Sequence, residues 1–179
     1  MLSTANFVYR QGAPSDALCL GILATQVFLD TYATNGIDAD LAREALSVYS
    51  PGALEQRLLD PNAEMTVVEC GDYVVAFLDV SRASECPVSG IVGPEVLRLY
   101  VQAPFQRHGL GRELLRRAEA TARLAGAKFV WLTAWSGNVG ALGFYAAAGY
   151  VDVGETQYVI EGKAYENRVF AKSLALSMA

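Results

Sequence analysis

The chain has 179 residues, 53% of them hydrophobic and 18% charged, with a formal net charge of −5 and a pI near 4.9. That length fits a single domain with a sizeable buried core, and the composition excludes a disordered or low-complexity chain. The acidic balance argues against nucleic acid as a partner, because duplex binding draws on a basic face.

In chain order, "NFVYRQG" (6–12) alternates as a first strand does, and Pro14, Ser15 and Asp16 are helix-start residues. The apolar run "ALCLGILATQVFL" (17–29) is interrupted by Thr25 and Gln26 and is shorter than the ~18 residues of a membrane span. Only Arg10 and Asp16 precede it, unlike the basic leader of a secretory signal, so an amphipathic helix to about Tyr32 is expected and no membrane partner. "DADLAREALSVY" predicts a second helix, and "SPGALEQRLLD" a third with Ser50 as cap and Pro51 in its first turn.

The period then becomes strand-like. "EMTVVEC" and "YVVAFLDV" flank Gly71-Asp72, a hairpin signal, and the serines, prolines and glycines of 81–94 read as a loop. Next come a strand in "EVLRLYV", a helix in "GLGRELLRRAEATARLAG" and a strand in "KFVWLTA", a succession that predicts a parallel strand pair. A helix in "NVGALGFYAAAG", capped by Asn138, and two closing antiparallel strands complete an α/β or α+β fold with a mixed sheet. Cys19, Cys70 and Cys86 are odd in number, widely spaced and without a CxxC pair or nearby histidines. Neither a disulfide framework nor a metal site is expected, but reduced, mostly buried thiols in a cytoplasmic protein.

The stretch "APFQRHGLGRELLRRAE" (103–119) brings a strand end to a glycine-containing helix start. Free backbone N–H groups and the positive end of the helix dipole converge there, as at many phosphate sites. Gly109 and Gly111 permit close approach to the backbone, and Arg107 and Arg112 add charge. Arg112 and Glu113 stand where a P-loop needs Lys and Ser or Thr, and Leu114 where the dinucleotide fingerprint needs its third glycine, so both nucleotide readings are disfavoured.

"VLRLYV" followed by "QRHGLG" resembles the Gln/Arg-x-x-Gly-x-Gly/Ala signature of the Gcn5-related N-acetyltransferases (GNAT), and "NVGALGFYAAAGY" resembles their later Asn- and Tyr-bearing segment. The resemblance covers roughly residues 64–173. "FLDTYATNG" and "YVIEGKAYENRVFAK" look like the spermine/spermidine-type branch. The resemblance implies one acetyltransferase domain over 1–179: 1–63 would border the acceptor site, and 64–173 would form the cofactor-binding core. It implies a mostly antiparallel central sheet, flanked by helices, in which the strand of Leu99, Tyr100 and Val101 splays from its parallel neighbour to admit acetyl-CoA.

By the same resemblance, Gln106, Arg107, His108, Gly109, Leu110, Gly111 and Arg112 would hold the pyrophosphate, and Asn138 would touch the cofactor. Tyr145 would protonate the leaving thiolate, and Glu95 would accept the proton of a primary amine, with Glu69 and Asp79 as rival bases. His108, the only histidine, serves through its backbone N–H. The implied activity is direct acetyl transfer to a polyamine-like or peptide amine, without a metal. Asp30, Asp38, Asp40, Glu69, Asp79 and Glu85 fit a cationic acceptor. A non-catalytic acyl-CoA-binding sensor on the same fold is the competing reading, and relatives of this kind also pair as homodimers.

Overall fold

The computed structural model describes residues 6–175, so the outer ends of the expected 1–179 span lie outside the described residues. Its elements are β1 (Phe7–Gln11), α1 (Ala17–Tyr32), α2 (Ala39–Val48), α3 (Pro51–Leu59), β2 (Ala63–Cys70), β3 (Tyr73–Glu85), β4 (Val92–Val101), α4 (Leu110–Leu124), β5 (Phe129–Trp135), α5 (Val139–Ala147), β6 (Val151–Ile160) and β7 (Lys163–Ser173). The strands form one sheet in the order β1-β2-β3-β4-β5-β7-β6. Pairing is parallel between β4 and β5 and antiparallel at β1–β2, β5–β7 and β6–β7. The parallel pair is the one joined through a helix, α4, as the strand-helix-strand pattern requires.

Two expectations are corrected. The loop read at 81–94 is mostly strand: β3 runs on to Glu85, β4 begins at Val92, and only residues 86–91 connect them. Cys86 N–H donates to the Ile91 carbonyl (3.0 Å) and Gly90 N–H to the Cys86 carbonyl (2.8 Å), closing the turn. Serine and proline mark positions where a chain can turn, but membership of a sheet overrides that local preference. The thiols also differ from expectation: Cys86 is buried, Cys70 half-buried and Cys19 exposed, all three free. Cys19 lies on the outward stripe of α1 beside Leu18 and Ile22, both exposed.

By compactness the described chain forms two units, one of residues up to Asp79 with Arg98–Leu114, the other of Val80–Leu97 with Leu115 onward. In the first, Leu20, Leu23, Ala24 and Phe28 recur on one side of α1 at three- and four-residue spacing and are buried. Leu54 of α3 and Met65 and Val67 of β2 are buried as well, and Val68, on the opposite face of β2, is buried too. Each fully buried side chain of this size contributes about 1.5–3 kcal/mol. The Asp38 carboxylate caps α2 by accepting from the Asp40 and Leu41 N–H groups, and the Ser50 hydroxyl caps α3 by accepting from Ala53 N–H. Arg10 on β1 bridges Asp16 and Glu69.

In the second unit, successive residues of β5 face opposite sides. Tyr145 of α5 packs on Phe170 of β7 (ring centroids 6.1 Å), the register partner of Leu132, so α5 covers the side that Leu132 faces. Cys86, Trp131 and Val169 form a small buried cluster, with Phe129 and Ala171 packed against it, on the other side. Lys172 Nζ donates to both oxygens of Glu119 (2.8 Å each) and to the Ala148 carbonyl (2.9 Å), tying α4, the end of α5 and β7 together.

Candidate active site

After Val101 the chain passes through a short 3-10 turn, Ala103–Phe105, and starts α4 at Leu110. Arg107 (φ 63°) and Gly109 (φ 82°) both adopt the left-handed region, one on each side of His108. At Arg107 that conformation costs about 1–2 kcal/mol. A Cβ on Gly109 would meet nothing within 4 Å, so glycine serves the backbone angle there and leaves the approach open. The Gln106 amide donates to the Val101 carbonyl (3.2 Å), and His108 Nδ1 lies 2.8 Å from the Gln106 carbonyl.

The first backbone bond of α4 runs from Glu113 N–H to the Gly109 carbonyl (3.0 Å). The N–H groups of Gly109, Leu110, Gly111 and Arg112 therefore precede the helical ladder and point out of its positive end. Buried Leu110 anchors this turn, while Gln106, Arg107, His108, Gly109 and Arg112 are exposed. Such a row of donors can hold a phosphate group with no side chain beyond the flanking arginines.

Leu99, Tyr100 and Val101 lie beyond the parallel pairing of β4 with β5, which comprises Glu95–Trp131 and Val96–Leu132. Tyr100 is held by its hydroxyl, 3.1 Å from that of Tyr49, and by the edge of Phe77 (ring centroids 5.5 Å). Burial pushes both phenols up in pKa. One residue earlier, Arg98 Nη1 donates to Asp79 Oδ2 at 2.6 Å, and Arg57 donates to the same carboxylate from Nε (3.0 Å) and Nη2 (2.9 Å). Burial disfavours the Arg98 charge, yet Asp79 outweighs it and its pKa is raised.

These contacts engage both rival bases. Asp79 is wholly buried between two arginines, and Glu69 is paired with Arg10. Asp38 is a helix cap and Asp40 pairs with Arg43, so of the six acids suited to a cationic acceptor only Asp30 and Glu85 stand exposed outside these pairs and caps.

In the second unit, Glu95 is half-buried on β4 opposite Trp131. Asn138 Oδ1 accepts from Ala141 N–H (3.1 Å), fixing the start of α5. Tyr145, 9% exposed, is enclosed by Phe144, Tyr150 and Phe170, and burial pushes its phenol up to about 12. It holds its proton at neutral pH and can donate it. Residues Gln106 to Arg112 thus lie in one continuous turn of the first unit, while Glu95, Asn138 and Tyr145 belong to the second. Among the described residues no group of three or more His, Cys, Asp or Glu is arranged to hold a metal ion, and no helix is long and apolar enough to cross a membrane.

Residues 31–150 match the acetyltransferase (GNAT) family. The chain belongs to that family. An uncharacterized N-acetyltransferase in the pepI 3′ region of Lactobacillus delbrueckii subsp. lactis is 24% identical over 156 residues, 85% of this chain and 88% of that protein. The GNAT fold recurs in the crystal structure of PaiA N-acetyltransferase from Thermoplasma acidophilum in complex with coenzyme A, with a TM-score of 0.76 at 17% identity, covering 94% of this chain and 99% of that one. It recurs also in YncA, a putative acetyltransferase from Salmonella typhimurium with acetyl-CoA, at a TM-score of 0.66 and 19% identity over 97% of each chain. The GNAT core thus agrees with the mixed sheet and the parallel β4–β5 pair.

Missed by sequence reasoning were the Arg57–Asp79–Arg98 cluster, the Lys172–Glu119 pair and the buried amide of Asn167. The two ion-pair groups depend on partners distant in sequence, the Asn167 amide on its burial within the sheet, and no local pattern signals any of them.

Proposed function

We propose that this GNAT acetyltransferase moves the acetyl group of acetyl-CoA directly to a primary amine. The carrying observation is the turn into α4, where left-handed Arg107 and Gly109 precede four N–H groups outside the helical ladder. Acetyl-CoA supplies an acyl group activated as a thioester. Gln106, Arg107, His108, Gly109, Leu110, Gly111 and Arg112 bind its pyrophosphate, chiefly through backbone N–H donors. Leu99, Tyr100 and Val101 offer backbone groups to the pantetheine arm, and one N–H there polarises the carbonyl. Asn138 adds a contact from the start of α5.

Two proton transfers remain. Tyr145, a phenol and so protonated at neutral pH, gives its proton to the departing sulfur. Glu95 accepts the amine's proton, directly or through water. The acidic balance of the chain and these roles together favour a cationic, polyamine-like or peptide amine.

The test combines calorimetric titration of acetyl-CoA with a thiol-release assay on a panel of primary amines. Gly109→Glu inserts a carboxylate into the cradle and should weaken acetyl-CoA at least tenfold, about 1.4 kcal/mol. Unchanged affinity would refute the cradle. Absence of thiol release with every amine would refute the transfer.

A further inference from the structure

Asn167 lies on β7 opposite Trp135 of β5 and Thr156 of β6. It is only 5% exposed, and its Oδ1 is buried without a hydrogen-bond partner. An amide oxygen left unpaired in a sheet interior destabilises the fold, and leucine would fill the same space without that penalty. Such a group points to a ligand that donates an N–H.

Its neighbours narrow the chemistry. Side chains directly opposite one another in an antiparallel pair share a face, so Asn167 and Trp135 project to the same side, with Tyr165 two residues along β7. That side is opposite to Phe170 and therefore to α5. The Trp135 and Tyr165 rings meet edge to face, with centroids 6.2 Å apart. Gly137 fixes the indole, because a Cβ at that position would run into it. Lys163 Nζ sits 5.1 Å over the Tyr165 ring, a cation–π contact within the chain that an incoming ammonium would have to share or displace.

We propose that Asn167, Trp135 and Tyr165 form a subsite for a primary alkylammonium group of the acceptor, with Asn167 Oδ1 accepting an N–H and the two rings flanking the cation. This deepens the acetyltransferase reading and rests on it for the word acceptor, but binding can be measured without transfer.

Trp131 and Trp135 are the only tryptophans, so intrinsic fluorescence of the full chain reports on this side of the sheet. The probes are 1,4-diaminobutane as its hydrochloride and the neutral 1,4-butanediol. The diamine should change the emission saturably and the diol should not. Asn167→Leu should raise the diamine dissociation constant at least tenfold while raising Tm, because the unpaired oxygen is gone, with acetyl-CoA affinity unchanged. Asn167→Asp keeps the shape and an acceptor oxygen and should bind the diamine at least as tightly as the wild type. No saturable response to the diamine, an equal response to the diol, wild-type affinity in Asn167→Leu, or a tenfold loss in Asn167→Asp would each overturn the subsite. If Asn167→Leu loses the diamine but no acetyl transfer occurs with the wild type, the subsite stands and the transfer reading falls.

Discussion

Replacing Asp79 by Asn tests the interior of the first unit most directly. The carboxylate is wholly buried and accepts N–H bonds at 3.0 and 2.9 Å from Arg57 and 2.6 Å from Arg98. Asparagine keeps the shape, removes the negative charge and turns an NH2 toward one of the guanidinium groups. Breaking a buried ion pair by removing one partner costs about 3–5 kcal/mol. The arginine side chains keep 17% and 20% of their exposure, and Arg57 retains Asp60 at 2.8 Å, so the lower end, about 3 kcal/mol, applies. For a chain of this size that corresponds to a fall in Tm of about 6–12 °C. Differential scanning calorimetry of Asp79→Asn, Arg98→Met and the double variant at pH 7 measures it. The double variant should fall by clearly less than the sum of the singles, since each single leaves a buried charge unmatched. Strictly additive shifts, or a fall under about 2 °C for Asp79→Asn, would show that the cluster is solvated and the reasoning wrong.

Four further outcomes follow from other side chains. Tyr145→Phe should lower kcat by about 10²- to 10³-fold with acetyl-CoA affinity retained; a full rate would remove Tyr145 as the acid. Because burial raises the folded pKa of Tyr145 to about 12, its contribution to stability is complete below the ordinary phenol value near ~10 and is lost as pH rises through about 12. Urea unfolding between pH 9 and 12 should therefore fall less steeply for Tyr145→Phe than for the wild type, and parallel curves would contradict the burial effect. Lys172→Met strands the buried Glu119 carboxylate and should cost about 3 kcal/mol, most of it recovered when Glu119→Leu is added; equal Tm values for wild type and single variant would count against the pair. At the acid end, hydrogen bonding from Arg10 lowers the Asp16 pKa, so its stabilisation is present above the usual carboxylate value and disappears as pH falls through the folded one. Arg10→Gln should raise the midpoint of acid unfolding, and an unchanged midpoint would show that the pairing contributes nothing.

The elements legible in the sequence are those whose signals are local. Ser50 marks a helix start because a side-chain oxygen three residues ahead of a free N–H can cap it, whereas Asp38, read from the sequence only as an acid suited to a cationic acceptor, proves to cap α2. The turn at Gly109 is legible because few residues tolerate its backbone angle. The extension of β3 and β4 into 81–94 is not, since "SRASE" has poor strand propensity and becomes strand through its place in the sheet. For the same reason Asp79 reads in sequence as a candidate base: nothing within "FLDV" reveals that Arg57 lies 22 residues before it and Arg98 19 after. Asn167 carries no motif at all, and only its buried, unpaired oxygen singles it out.

The Arg57–Asp79–Arg98 cluster also bears on how the chain is made. Synthesis proceeds from the N-terminus, so Asp79 emerges with Arg57 already present but waits 19 residues for Arg98, an interval of about 1–4 s at ~5–20 residues per second. Until then its carboxylate can be only partly neutralised, and the stretch of β4 that begins at Arg98 completes the first unit by delivering that missing charge. A ribosome-stalled chain in which Arg98 is still inside the exit tunnel should therefore remain protease-sensitive around Asp79, and one long enough for Leu114 to have left the tunnel should become resistant there.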